Sequence, residues 1–122
     1  MKDRLAIYYL ARGFIEAEDS VLDIGCGNGY GTVILADRAF YALGVDKNVE
    51  IARGFEVEDF IEFSETVPRT KMECAVAFGE WETHDIQNIA KRLITNIEVN
   101  IKGWTEVYRF DCNPPIIIYD KE

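Results

Sequence analysis

The sequence predicts an α/β open sheet of five to six mostly parallel strands, with helices on both faces and the last strand antiparallel. Three observations lead there. "VLDIG" (21–25) and "YALGVD" (41–46) are short apolar runs ended by breakers, the pattern of strands buried on both faces. Residues 30–38, carrying Val33, Ile34, Leu35 and Ala36, read as a helix between them. This strand–turn–helix–strand order is the first crossover of a parallel sheet, right-handed in nearly every case. The arrangement is Rossmann-like.

The elements follow in order. Residues 3–16 read as a first helix, because Ala6, Tyr9, Leu10, Gly13 and Phe14 fall on one face of a 3.6-residue period. "AEDS" (17–20) is a polar break before the first strand. Beyond Asp46, residues 48–54 allow one or two helical turns, from Asn48 as cap to Gly54 as stop. "FEVED" (55–59) alternates and is the expected third strand. Residues 60–70 read as loop or short helix, closed by Pro68. "MECAVAF" (72–78) is the expected fourth strand. Residues 84–97 are expected to be helical, since Ile86, Ile89, Ala90, Leu93, Ile94 and Ile97 keep the helical period and Thr83 can cap it. "WTEVYRF" (104–110) and "IIIYD" (116–120) complete the sheet, joined by "DCNPP". No repeat or linker interrupts the chain, so residues 1–122 are read as one domain.

Composition narrows the function classes. With 13 Lys plus Arg against 22 Asp plus Glu, the net charge is −9. An acidic chain repels phosphate backbones, which argues against nucleic acid as a partner. No apolar run is long enough to span a bilayer, and Arg4 and Arg12 interrupt the N-terminal stretch where a signal peptide would need an apolar core. Cys26, Cys74 and Cys112 are odd in number and widely spaced, which fits free thiols in a reducing cytoplasm. His84 is the only histidine, and no metal-ligand spacing is present.

"VLDIGCGNGYGT" (21–32) concentrates the chemistry. Gly25 lets the chain turn sharply out of the strand, Gly27 leaves backbone open to a ligand, and the helix that follows offers unpaired N–H groups. Asp46 closes the next strand, placed to accept hydrogen bonds from the vicinal hydroxyls of a ribose. The dinucleotide fingerprint G-x-G-x-x-G fails in both registers, because Tyr30 and Thr32 stand where the third glycine is needed. The pattern present is D-x-G-x-G-x-G, from Asp23 through Gly25, Gly27 and Gly29.

That segment resembles the first motif of the class I S-adenosylmethionine-dependent methyltransferases, and "ALGVDKN" (42–48) resembles their second. The resemblance implies S-adenosylmethionine as cofactor, held by Gly25, Cys26, Gly27, Asn28 and Gly29. Asp23 would lie near the methionine amino group, and Asp46 with Lys47 at the ribose. "EVEDF" (56–60) is similar to the segment that meets the adenine, which makes Asp59 the candidate for the amino group and Phe60 a flank for the ring. "CAVAFGEWETH" (74–84) resembles the fourth strand and its exit, with Phe78 near the cofactor and Glu80 and His84 in a Glu-x-x-x-His pattern. The implied activity is methyl transfer to an unidentified acceptor, a small molecule or protein before nucleic acid. Glu80 or His84 would serve as base.

Other readings stand beside this one. The glycine loop also fits a cofactor-free turn, Asp59 a solvated acidic stretch, and Glu80 and His84 ordinary helix-start chemistry. Tyr8, Tyr9 and Tyr30 fit the cofactor mouth or the core. "NPPI" (113–116) resembles the Asn-Pro-Pro-aromatic segment of methyltransferases that act on amino groups of bases and amides, but Ile116 stands in the aromatic position. A proline-rigid turn between two strands is the favoured reading. The short sheet also leaves an edge for a second copy or a partner subunit, in which case the chain is a cofactor-binding module.

Overall fold

A computed structural model describes residues 4–57, 59–65, 91–96, 98 and 103–122. Its elements are α1 (Arg4–Arg12), β1 (Ser20–Ile24), α2 (Tyr30–Ala36), β2 (Tyr41–Asp46), a 3₁₀ turn (Ala52–Phe55), β3 (Ile61–Glu65), β4 (Arg92–Thr95), β5 (Trp104–Phe110) and β6 (Ile116–Lys121). The strands form one six-stranded sheet in the order β3-β2-β1-β4-β6-β5. The pairs β2–β3, β1–β2 and β1–β4 are parallel, and β6 runs antiparallel to both β4 and β5. The chain leaves β1 toward β2 on one side and returns beside β1 as β4 on the other. Open sheets of this kind bind ligands at the carboxyl ends of the strands flanking such a reversal.

Burial explains these strands. Along β1, Val21 packs with Ile7, Ala11, Leu35, Ile94, Ile116 and Ile118 on the face that carries α1 and α2. Leu22 and Ile24 point the other way, into a cluster with Leu43, Val45, Leu93, Trp104, Ile117 and Tyr119. Each buried aliphatic side chain contributes about 1.5–3 kcal/mol relative to exposure. Among the described residues both α-helices lie on the first face.

Three sequence expectations are corrected. The third strand is Ile61–Glu65, not residues 55–59: Ile61 and Phe63 are buried, whereas Val57 is 78% exposed. The segment expected as helix over 84–97 contains β4, because Leu93 and Ile94 are both fully buried on opposite faces of the sheet. One helical face cannot bury two adjacent residues against two separate layers. Residues 84–90 of that segment, and the expected strand 72–78, lie outside the described residues. The first helix turns a different face inward: Ile7 and Ala11 are buried, while Tyr9 and Leu10 are 55% and 62% exposed. The 104–110 strand, the 116–120 strand and "YALGVD" fall where expected.

Candidate functional site

The loop between β1 and α2 sits at the carboxyl edge of the sheet, and its shape is set by glycines. Gly25, Gly27 and Gly29 all have positive φ, at 83°, 58° and 93°. In that region an L side chain costs roughly 1–2 kcal/mol. Backbone bonds tie the loop to β2: the Gly25 and Cys26 N–H groups donate to the Val45 carbonyl at 2.7 and 3.1 Å. The Gly29 N–H closes a turn onto the Cys26 carbonyl at 3.0 Å, and the Gly29 carbonyl then accepts from Val33 to start α2. Asn28 Oδ1 accepts from the Tyr30 N–H at 3.3 Å, an Asx turn.

The glycines do not share one purpose. A Cβ at Gly25 would stand 2.7 Å from Asn96 Oδ1, and one at Gly29 would meet Ala52 and Phe63 at 2.9–3.0 Å. In β2, a Cβ at Gly44 would collide with the Phe63 ring at 2.6 Å. Those positions are glycine because the fold fills the space beside them. Gly27 differs, since nothing lies within 4 Å of where its Cβ would be.

Asp46 fixes that open position. Its Oδ2 accepts from the Gly27 N–H at 2.7 Å and its Oδ1 from the Lys47 N–H at 2.6 Å. A carboxylate has about four acceptor sites, so further hydrogen bonds remain available at the partly exposed group. Around it a cleft of about 310 Å³ is lined by Gly27, Asn28, Asp46, Lys47, Asn48, Glu50 and Ile51. That volume is at the lower end for small-molecule sites.

Asp23, expected near the methionine amino group, stands just before the loop. It is fully buried behind the loop, and both oxygens are engaged: Oδ1 by the Tyr8 hydroxyl at 3.0 Å and Oδ2 by the Thr32 hydroxyl at 2.7 Å. Burial pushes its carboxyl up to about 6, and the two hydroxyl donors oppose that rise. Cys26 is buried too, and burial, followed by the carboxylates of Asp23 and Asp46, raises its thiol and keeps it protonated.

The structure brings Gly27, Asn28, Asp46 and Lys47 together but leaves Asp59 and Phe60 apart. Those two precede β3, and the Phe60 carbonyl accepts from Ala42 at the start of β2. Asp46 pairs with Glu65 at the other end of the same ladder. At about 3.3 Å per residue the strand separates Asp59 and Phe60 from the cleft by more than 10 Å. With the third strand at Ile61–Glu65 and not at 55–59, both residues lie at the opposite edge of the sheet. Phe78, Glu80 and His84 lie outside the described residues. "NPPI" joins β5 to β6, and Arg4 Nη1 donates to the Pro114 carbonyl at 2.7 Å, which ties the segment to α1.

Reading the sequence alone missed Asn48, Glu50 and Ile51, although they directly follow Asp46 at a strand end, where cleft residues are to be expected. It also missed Asn96, which follows β4 and lies against Gly25. No local signal marks Asn96 while that segment reads as helix.

Comparison with known proteins adds the family of the fold. No family model matches the sequence, and no curated protein matches it. Solved structures do match. One is the N-methyltransferase NodS of Bradyrhizobium japonicum in complex with S-adenosylhomocysteine, at 14% identity and a TM-score of 0.55, over 97% of this chain and 84% of that one. The fold is that of the class I methyltransferases. An rRNA methylase of Streptococcus thermophilus matches over 99% of this chain and 98% of its own, at 14% identity and a TM-score of 0.54. TrmK of M. capricolum, in complex with S-adenosylhomocysteine, matches at 17% identity and a TM-score of 0.53, over 100% of this chain and 69% of that one. Among the described residues this fold is built with two α-helices and a short β4.

Proposed function

We propose that the chain binds S-adenosylmethionine across the glycine loop and transfers its methyl group to an acceptor. The observation that carries the reading is Gly27. It lines the cleft, holds a left-handed conformation, has no neighbour that forbids a side chain, and is fixed by Asp46. The cofactors of NodS and TrmK support the same ligand for this fold.

In this reading Gly27 and Asn28 lie against the ligand, and Asp46 uses its spare acceptor sites for ribose hydroxyls. Lys47, Asn48, Glu50 and Ile51 line the remaining wall. Asp59 and Phe60 have no part in it. When bound, the cofactor supplies an electrophilic sulfonium methyl, so the protein's task is to align donor and acceptor and keep water out. Glu80 and His84 are the proposed bases for an alcohol or amine acceptor.

On charge, a small molecule or protein is favoured as acceptor, since the net charge is −9. The fold does not favour that choice, because it also carries an rRNA methylase. The test is transfer of a labelled methyl from S-adenosylmethionine to panels of small amines and alcohols, proteins, and RNA. Transfer that is lost in Asp46→Ala supports the reading. Binding of S-adenosylhomocysteine with no transfer until another protein is added would make the chain a binding module. Unchanged transfer in both Glu80→Gln and His84→Ala would remove the proposed bases.

A further inference from the structure

No residue of α1 lines the cleft, yet α1 reaches the scaffold directly behind it. The Tyr8 hydroxyl donates to Asp23 Oδ1 at 3.0 Å, and Thr32 in the first turn of α2 donates to Oδ2 at 2.7 Å. Asp23 is two residues before Gly25 and has no exposed surface. Three elements therefore meet at one carboxylate: α1, the end of β1 and the start of α2. The Tyr8 ring makes a second contact, lying so close to Gly31 that a Cβ there would stand 2.7 Å from it.

We propose that Tyr8 is a positioning residue of the cleft, acting through Asp23 and Gly31 to hold loop 25–29 in its ligand-ready shape. The consequence for affinity rests on the cofactor reading; the geometry does not. A buried carboxylate must have its oxygens satisfied, and removing one donor leaves a group that pulls toward water or toward protonation. Asp23 lies two residues before Gly25, so any shift of the carboxylate toward water is passed to the loop through the end of β1. Among the described residues, the charged and titratable groups facing Asp23 are Tyr8 and Arg4 from α1, Cys26 from the loop and Asp46 from β2. Of these, Tyr8 alone pairs a direct hydrogen bond to Asp23 with a ring contact to α2.

The test compares Tyr8→Phe, which keeps the ring on Gly31, with Ile7→Val, which trims the buried neighbour on the same helix. Amide hydrogen exchange in the free protein and calorimetry with S-adenosylhomocysteine are the readouts. In Tyr8→Phe, exchange at Gly25, Cys26 and Gly27 accelerates about tenfold, as expected for one lost hydrogen bond, while β5 and β6 amides do not change. Affinity falls by about fivefold or more, and Ile7→Val reproduces neither effect. On an Asp23→Ala background, Tyr8→Phe adds less than about twofold, because no side-chain oxygen is left to accept from the Tyr8 hydroxyl. Loop exchange within about twofold of wild type in Tyr8→Phe, or equal acceleration in Ile7→Val, overturns the proposal. Absence of S-adenosylhomocysteine binding to the wild type would instead defeat the cofactor reading, and the exchange data would still decide the role of Tyr8.

Discussion

Replacing Gly27 by alanine separates the needs of a ligand from the needs of the fold. The added methyl meets no atom within 4 Å, so its cost to stability is that of the backbone conformation at φ 58°. That cost is roughly 1–2 kcal/mol for an alanine in the left-handed region. A ligand lying against Gly27 would meet the methyl and be displaced, weakening binding by about tenfold or more, or about 1.4 kcal/mol. Gly44→Ala is the matched opposite. Its methyl runs into Phe63 at 2.6 Å and Thr32 Oγ1 at 2.9 Å, an overpacking expected to cost about 1–3 kcal/mol wherever the ligand sits. Urea unfolding gives the two stabilities, and calorimetry with S-adenosylhomocysteine gives the affinities. The account predicts a Gly27→Ala protein that loses no more stability than this backbone cost, yet binds poorly, whereas Gly44→Ala loses stability with the affinity of its folded fraction kept. Wild-type affinity in Gly27→Ala would refute the claim that the bare backbone is there for a ligand.

Other expectations follow from the same geometry. Asp46→Ala removes the acceptor for the Gly27 and Lys47 N–H groups at a partly exposed site, so it costs about 1 kcal/mol in denaturant unfolding but lowers S-adenosylhomocysteine affinity by about tenfold or more in calorimetry. The Asp23 carboxyl stands at about 6 in the folded chain against 3.8 ordinarily. Its protonated form is the one the fold prefers, so its contribution is full below the ordinary value and is lost as pH rises through about 6. The loss is on the order of 2–3 kcal/mol, and Asp23→Asn should flatten unfolding free energy against pH over that window. Arg92 bridges Asp19 at 3.2 Å and Asp120 at 3.1 Å at the edge of the sheet far from the glycine loop. Arg92→Met leaves the buried Asp19 its Glu16 N–H but removes its counter-charge, and should cost about 3–5 kcal/mol in urea unfolding, with S-adenosylhomocysteine affinity unchanged for the fraction that folds.

Local pattern and long-range packing divide what the sequence makes legible. β2 is readable residue for residue because "YALGVD" is short, apolar and bounded, and Asp46 at its end is readable for the same reason. β4 is not. Leu93 and Ile94 satisfy a helical period running up from Ile86, and only a sheet on which they bury opposite faces decides for a strand. The third strand has two rival windows, 55–59 and 61–65, and both alternate. Pairing of Ile61 with Ala42 selects the second, which local pattern does not contain. α1 carries two apolar stripes, and the one that faces the sheet, Ile7 and Ala11, has the smaller side chains. The glycine loop was visible as a site, but its division of labour was not. Gly25, Gly29, Gly31 and Gly44 answer to Asn96, Phe63 and Tyr8, partners distant in sequence, and only Gly27 answers to the cleft.

Titration of the wild-type chain with S-adenosylhomocysteine by calorimetry, with NAD as the comparison, tests the central claim most directly. The account predicts saturable binding to one site per chain with a dissociation constant below about 100 μM, or about −5.5 kcal/mol, and much weaker binding of NAD. No detectable binding at millimolar S-adenosylhomocysteine, or tighter binding of NAD, would contradict it.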